Sequence, residues 1–317
     1  MTNSKRADLS KIKTISIKHR KSKVTPADFA SPFDDRSDSF RQFADSLPRI
    51  LAANDLHAVV HDIVRARKRG APVILLMGAH VIKVGLAPVL IDLLKREIIT
   101  AVGMNSAAAI HDVETAMWGM TSEDVATNML DGRFGMARET GELINGTLAE
   151  AFRNGDLGYG EALGRKLLEL KAPNSNVSLL ATCAILEVPA TVHAAIGTDT
   201  VHQQPSMDGA ATGEMSFRDF RSLCETCRGL AKGGVVLNIG SAVIMPEVFL
   251  KALTVARNLG AKARGFTTAV FDMNHHYRPA MNVQIRPTQD GGKGFYVTGH
   301  HEIMVPLLAA MIKTRMH

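Results

Sequence analysis

The stretch Asn105-Ser-Ala-Ala-Ala-Ile-His111-Asp112-Val-Glu114 holds the residues best suited to chemistry in this chain. His111 and Glu114 are three apart, so on a helix they share a face, where a carboxylate can orient an imidazole and charge it for proton transfer. Asp112 completes the acidic set, turned about 100° from that face. Three consecutive alanines allow another group to approach the helix start closely, and Asn105 can either cap the helix or contact a ligand. The same His–Glu spacing also suits an ordinary surface pair, and both readings stand at this point.

Other polar clusters recur where apolar runs end: Gly78-Ala-His80, Ile196-Gly-Thr-Asp199, Asn238-Ile-Gly240-Ser241, Phe271-Asp272-Met-Asn274-His-His and Thr298-Gly-His300-His301-Glu302. In a doubly wound sheet, ligands collect at the carboxyl ends of strands, so these clusters predict one shared small-molecule cleft. Gly78 and Gly85 flank a turn where a phosphate could meet backbone N–H groups, or Gly78 simply permits a tight turn. The spacing is neither G-x-G-x-x-G nor the G-x-x-x-x-G-K-[ST] loop. The doublets His275-His276 and His300-His301 have no H-E-x-x-H or cysteine cluster beside them, so no metal site is expected. Ser106 and Ser241 lack a G-x-S-x-G elbow, which argues against a serine hydrolase.

The elements that must position these residues alternate. Ser39 to Arg69 shows helical spacing of apolar side chains, broken at Pro48 and ended by Gly70. Pro72–Met77 is a continuous apolar run, as expected of a strand buried on both faces. A helix at Leu86–Arg96, a strand at Ile98–Met104 and a helix opened by Asn105-Ser106 follow. From Thr121 to Lys171 the pattern is helical throughout, with Thr121-Ser-Glu-Asp reading as a capping box. Alternation resumes with helix 176–187, strand 189–196, helix 216–232, strand 234–239, helix 246–260, strands 263–271 and 294–297, and a last helix 303–314. The expected fold is α/β, a doubly wound parallel sheet of about six strands. It forms one domain over residues 39–317, with a helical insertion at about 121–171 and a basic arm at 1–38.

The formal charge of +6 invites a nucleic-acid reading until it is located. Residues 1–25 carry eight cations (Lys5, Arg6, Lys11, Lys13, Lys18, Arg20, Lys21, Lys23) against Asp8, a balance of +7 that leaves −1 for the rest. The body is therefore nearly neutral, and nucleic acid is not its expected partner. Cys183, Cys224 and Cys227 are too few for a disulfide framework and read as structural thiols in a reducing compartment. The longest apolar stretch, Ala71–Leu94, is interrupted by His80, Lys83 and Asp92, so no membrane span is expected. The N-terminus shows no secretory pattern, and the expected location is cytoplasmic.

The order of these pieces resembles the deoxyhypusine synthase family over about residues 70–314. The likeness is carried by Val73–Gly85, Val102–Glu114, Asp208-Gly-Ala-Ala-Thr-Gly213-Glu214-Met, Gly265-Phe-Thr-Thr268-Ala269-Val-Phe271-Asp272, Arg278-Pro279 and Val305-Pro306-Leu307-Leu308. One departure is decisive for the reaction: the family's essential lysine falls on Pro287, and a proline cannot form a Schiff base. The family's histidine after the glycine-rich strand also has no counterpart around Met245-Pro246-Glu247. A narrower segment, Asn105 to Glu114 with its His-Asp-x-Glu, resembles archaeal-type NAD-dependent ornithine cyclodeaminases.

Together the resemblances imply a Rossmann-like fold, NAD as cofactor, an amine or amino-acid substrate, and a homo-oligomer, tetramer or dimer. They place Gly78, His80, Asn105, Thr268, Ala269 and His300 at the cofactor and Asp208, Glu214 and Asp272 at the substrate. His111, Asp112 and Glu114 would carry the proton chemistry. The alternatives are an ornithine-cyclodeaminase-like ammonia-lyase, and a non-catalytic ligand-binding or scaffold protein that uses the basic arm.

Overall fold

The computed structural model describes residues 6–316. Its six strands are β1 Val73–Met77, β2 Ala101–Asn105, β3 Ala190–His193, β4 Val235–Ile239, β5 Thr267–Asp272 and β6 Lys293–Thr298. All pair in parallel, in the order β3-β2-β1-β4-β5-β6. This is the strand order of a doubly wound, Rossmann-like sheet, with its switch point between β1 and β4. The helices are α1 Phe40–Ser46, α2 Leu51–Lys68, α3 His80–Lys83, α4 Ala87–Lys95, α5 Ser106–Trp118, α6 Val125–Met129, α7 Arg138–Asn154, α8 Tyr159–Glu169, α9 Leu179–Leu186, α10 Gly209–Arg228, α11 Ile244–Asn258, α12 Tyr277–Pro279 and α13 His301–Met316.

The continuous apolar runs follow from two covered faces. Val73, Leu75 and Met77 of β1 join the core shared with α2, α4, α5 and α13, whereas Ile74 and Leu76 join the core shared with α10 and α11. Cys224 and Cys227 are free thiols in that second core, and burial pushes both thiol pKa values up. Helix α2 turns Leu56, Val59, Val60 and Ile63 inward at helical spacing. Its one buried acid, Asp62, accepts from Thr267 Oγ1 at 2.8 Å and Lys293 Nζ at 3.1 Å, pinning α2 to β5 and β6.

Strand and helix ends differ from the sequence reading where caps were hidden. Helix α10 begins at Gly209 rather than 216, because Asp208 accepts from the Ala211 N–H at 2.9 Å and caps it. Strand β5 begins at Thr267, not 263. Thr121-Ser-Glu-Asp is not a capping box: Ser122 is left-handed at φ 68°, and Asp124 caps α6 by accepting from the Thr127 N–H at 3.1 Å.

Of the arm's eight cations, Lys5 lies outside the described residues. Between residues 6 and 38 the chain makes only short 3-10 turns, with Leu9, Ile12, Ile15 and Ile17 exposed. Among the described residues, no helix is long and apolar enough to cross a membrane.

At the switch point the backbones of β1 and β4 touch. A Cβ added to Gly78 would stand 2.1 Å from the Gly240 carbonyl oxygen, and backbone cannot rotate away. Gly78→Ala is therefore expected to cost about 2 kcal/mol in urea unfolding. Gly85→Ala, strained at φ 77° but in open space, should cost about 1 kcal/mol.

Candidate functional site

A cavity of about 820 Å³ opens beyond the carboxyl ends of β2 and β3, where α3, α5, the turn after α5, the start of α7 and the loop after β3 meet. Asn105 opens this region as the N-cap of α5, its Oδ1 accepting from the Ala108 N–H at 3.1 Å. One turn further, His111 and Glu114 line the cavity on the same face of α5.

The turn after α5 supplies Thr121, which connects them. His111 Nδ1 lies 2.6 Å from Thr121 Oγ1, and the Thr121 hydroxyl donates to Glu114 Oε2. Thr140 Oγ1, from the first turn of α7, donates to Glu114 Oε1 at 3.0 Å. Burial opposes ionisation of Glu114, but the hydroxyl bonds from Thr121 and Thr140 and the nearby His111 ring outweigh it and hold the carboxyl below its usual range. The pair is thus braced and partly shielded rather than a solvated surface pair.

Glu123, Glu139 and Asp199 also line the cavity, against the single lysine Lys83. Asp199 accepts from the buried Ser106 hydroxyl at the start of α5. Glu123 spans the cover, accepting from the Gly135 N–H at 2.8 Å and the Asn128 side chain at 2.8 Å. Glu139 is paired with Arg138 at 2.9 Å, which leaves Glu114, Glu123 and Asp199 against one ammonium, a balance that suits a cationic ligand.

Asp112 does not reach this cavity. It is fully buried and accepts from Ser178 Oγ at 2.6 Å, Leu179 N at 2.8 Å and Leu180 N at 3.1 Å, joining α5 to the start of α9. The rotation along the helix that puts His111 and Glu114 together carries Asp112 into the core.

The cofactor positions are dispersed, with Asn105 at the start of α5 and the others elsewhere. Gly78 and His80 stand at the switch point, with the His80 ring 5.5 Å from that of His301. His301 is 1% exposed; its Nε2 lies 3.2 Å from the Phe271 carbonyl, and its Nδ1 has no partner. His300 is exposed, 3.7 Å from Glu302. Thr268 and Ala269 are buried mid-strand, where Thr268 donates to the Val283 carbonyl at 2.8 Å and Ala269 packs in the core, so neither is open to a ligand.

The substrate positions are likewise dispersed. Asp272 is buried at the end of β5, 3.5 Å from His276 Nε2 and accepting from the Asn274 N–H at 3.2 Å. Asp208 is spent as the cap of α10. Glu214 pairs with Arg218 at 3.0 Å beside a second cavity along β3. Neither Asp208 nor Glu214 lines the cavity of His111. Among the described residues, no three His, Cys, Asp or Glu side chains converge as a metal-binding set.

No family model matches this chain, and no curated protein matches it. Solved structures share its fold. ArgZ, an arginine dihydrolase from the ornithine–ammonia cycle in cyanobacteria, aligns at 17% identity and a TM-score of 0.51, over 84% of this chain and 33% of that one. AgrE in ternary complex with ornithine and NAD+ aligns at 15% and 0.51, over 82% and 33%. A chain from Entamoeba histolytica assigned as a deoxyhypusine synthase aligns at 10% and 0.53, over 90% and 97%. This chain spans about a third of the length of the first two. At these identities the likeness is one of fold.

Proposed function

We propose that this chain binds a cationic amine or amino acid in the acidic cavity and acts on it with a nicotinamide dinucleotide, NAD, as a deoxyhypusine-synthase-like protein that is not itself a deoxyhypusine synthase. The observation that carries this reading is the His111–Thr121–Glu114 chain lining a cavity in which Glu114, Glu123 and Asp199 stand against the single ammonium of Lys83. AgrE, a third of whose length shares this fold, has been solved with ornithine and NAD+, which lends it support.

In this scheme the cavity carboxylates draw in the substrate ammonium and His111 accepts a proton from it, freeing the nitrogen lone pair. Glu114, which accepts from the Thr121 and Thr140 hydroxyls and is held below its usual carboxyl range, stabilises the imidazolium that results. The cavity's carboxylates oppose a pyrophosphate, so in this scheme the dinucleotide lies at the switch point instead. At the switch point His80 and Gly240 are partly open and would hold the cofactor, with buried His301 packed behind them. When bound, NAD supplies a hydride acceptor.

The test is to mix the full chain with NAD and either L-ornithine or 1,4-diaminobutane and follow reduced nicotinamide by absorbance. Its appearance supports the reading. No reduced nicotinamide, together with no thermal stabilisation by NAD, removes the support for the cofactor.

A second reading, amine binding without turnover, is favoured by Pro287. It is buried and its carbonyl accepts from Arg257 Nη2 at 3.1 Å, leaving no amine there for imine formation. Its signature is saturable amine binding with no reduced nicotinamide.

A further inference from the structure

The hydroxyl of Thr121 has one proton, and that proton is given to Glu114 Oε2, since an ionised carboxylate can only accept. The oxygen lone pair of Thr121 therefore faces His111 Nδ1 at 2.6 Å, and a contact that short requires Nδ1 to carry the hydrogen. We infer that Thr121 is the positioning residue of this site: by bridging Glu114 and His111 it fixes the neutral imidazole as the Nδ1–H tautomer and leaves Nε2 as the proton acceptor. The role deepens the functional reading above and rests on it, but the tautomer itself does not depend on any ligand.

The local structure is built around this bridge. Thr121 sits in a turn with two left-handed residues, Gly119 at φ 69° and Ser122 at φ 68°. Left-handed backbone is ordinary for glycine and costs about 1 kcal/mol for serine. The side chain that a capping box would have used at the helix start is directed back onto α5 instead, and Asp124 caps α6 in its place. Direct contact between His111 Nδ1 and Glu114 Oε2 is 3.8 Å, too long for a hydrogen bond, so without the hydroxyl the two groups are not coupled through one. The relay is consequently assembled by the turn that also covers the cavity, rather than by α5 alone.

Nitrogen-resolved NMR of the histidine rings in the ligand-free full chain tests this, with the His111 signal assigned by its loss in His111→Gln. In the wild type, neutral His111 is expected as Nδ1–H, favoured by about tenfold. Thr121→Val, equal in shape but without the hydroxyl, should lose that bias, and Thr121→Ser should restore it. An Nε2–H ring in the wild type, or an unchanged tautomer in Thr121→Val, overturns the assignment. If Thr121→Val fails to fold, the wild-type and Thr121→Ser spectra still decide it. Titrating L-ornithine into the same samples separates the two ideas: an Nδ1–H ring in a chain that binds no amine sinks the functional reading and leaves the bridge standing.

Discussion

Replacing Asp112 by alanine should destabilise the chain by about 4 kcal/mol in urea unfolding, as much as deleting a large core side chain. The carboxylate is the acceptor for Ser178 Oγ, Leu179 N and Leu180 N, all buried, and the two N–H groups belong to the first turn of α9, which has no carbonyls of its own to offer them. Each stranded buried donor costs about 1–3 kcal/mol, and water cannot reach them to compensate. Burial raises the Asp112 pKa from 3.8 to about 6 against the opposing effect of these bonds. Between those values the folded state holds a proton that the unfolded state has released, so this group's contribution to stability falls as pH rises from about 4 to about 6 and is level above it. Asp112→Asn should remove that slope while costing less than alanine. A drop below about 1 kcal/mol for Asp112→Ala would show that the carboxylate does not hold α9.

The His111→Ala variant should lose about 10²–10⁴-fold in the rate of nicotinamide reduction with L-ornithine or 1,4-diaminobutane, measured at saturating NAD. That is the usual worth of a positioned general base, and it is largest here because Thr121 and Glu114 orient and charge-balance the ring before substrate arrives. The effect belongs in kcat rather than in KM, since the carboxylates that attract the cation remain in place. His111 is partly exposed and is hydrogen-bonded only through Thr121, so the same substitution should leave the unfolding midpoint nearly unchanged. The opposite pattern, intact turnover with a large loss of stability, would make His111 a packing residue.

Much of the sheet was legible because its strands, buried on both faces, leave continuous apolar runs such as Val-Ile-Leu-Leu-Met at residues 73–77. Alternation with helices makes the sheet parallel, but the strand order is set by the crossovers and is seen only in the fold. The three-residue spacing puts His111 beside Glu114 on one face of α5, but nothing local gives Thr121 or Thr140 as their partners, which are set by how a turn and α7 fold back over α5. Asp199 was visible as a polar strand end, though not as the partner of Ser106, which lies 93 residues away. Thr268 and Ala269 were placed at the cofactor by resemblance, whereas the register of β5 buries both between helices. Asp208 and Glu214 are placed at the substrate by resemblance alone, whereas Asp208 caps α10 and Glu214 pairs with Arg218 one turn further along the same helix.

Calorimetric titration of L-ornithine and of 1,4-diaminobutane into the ligand-free chain, repeated with Glu114→Gln/Asp199→Asn, goes most directly to the acidic cavity as an amine site. Saturable binding to the wild type, weakened at least tenfold in the double variant and accompanied by movement of the His111 ring resonance, is the expected result. Absence of binding, or equal binding by wild type and double variant, would contradict it.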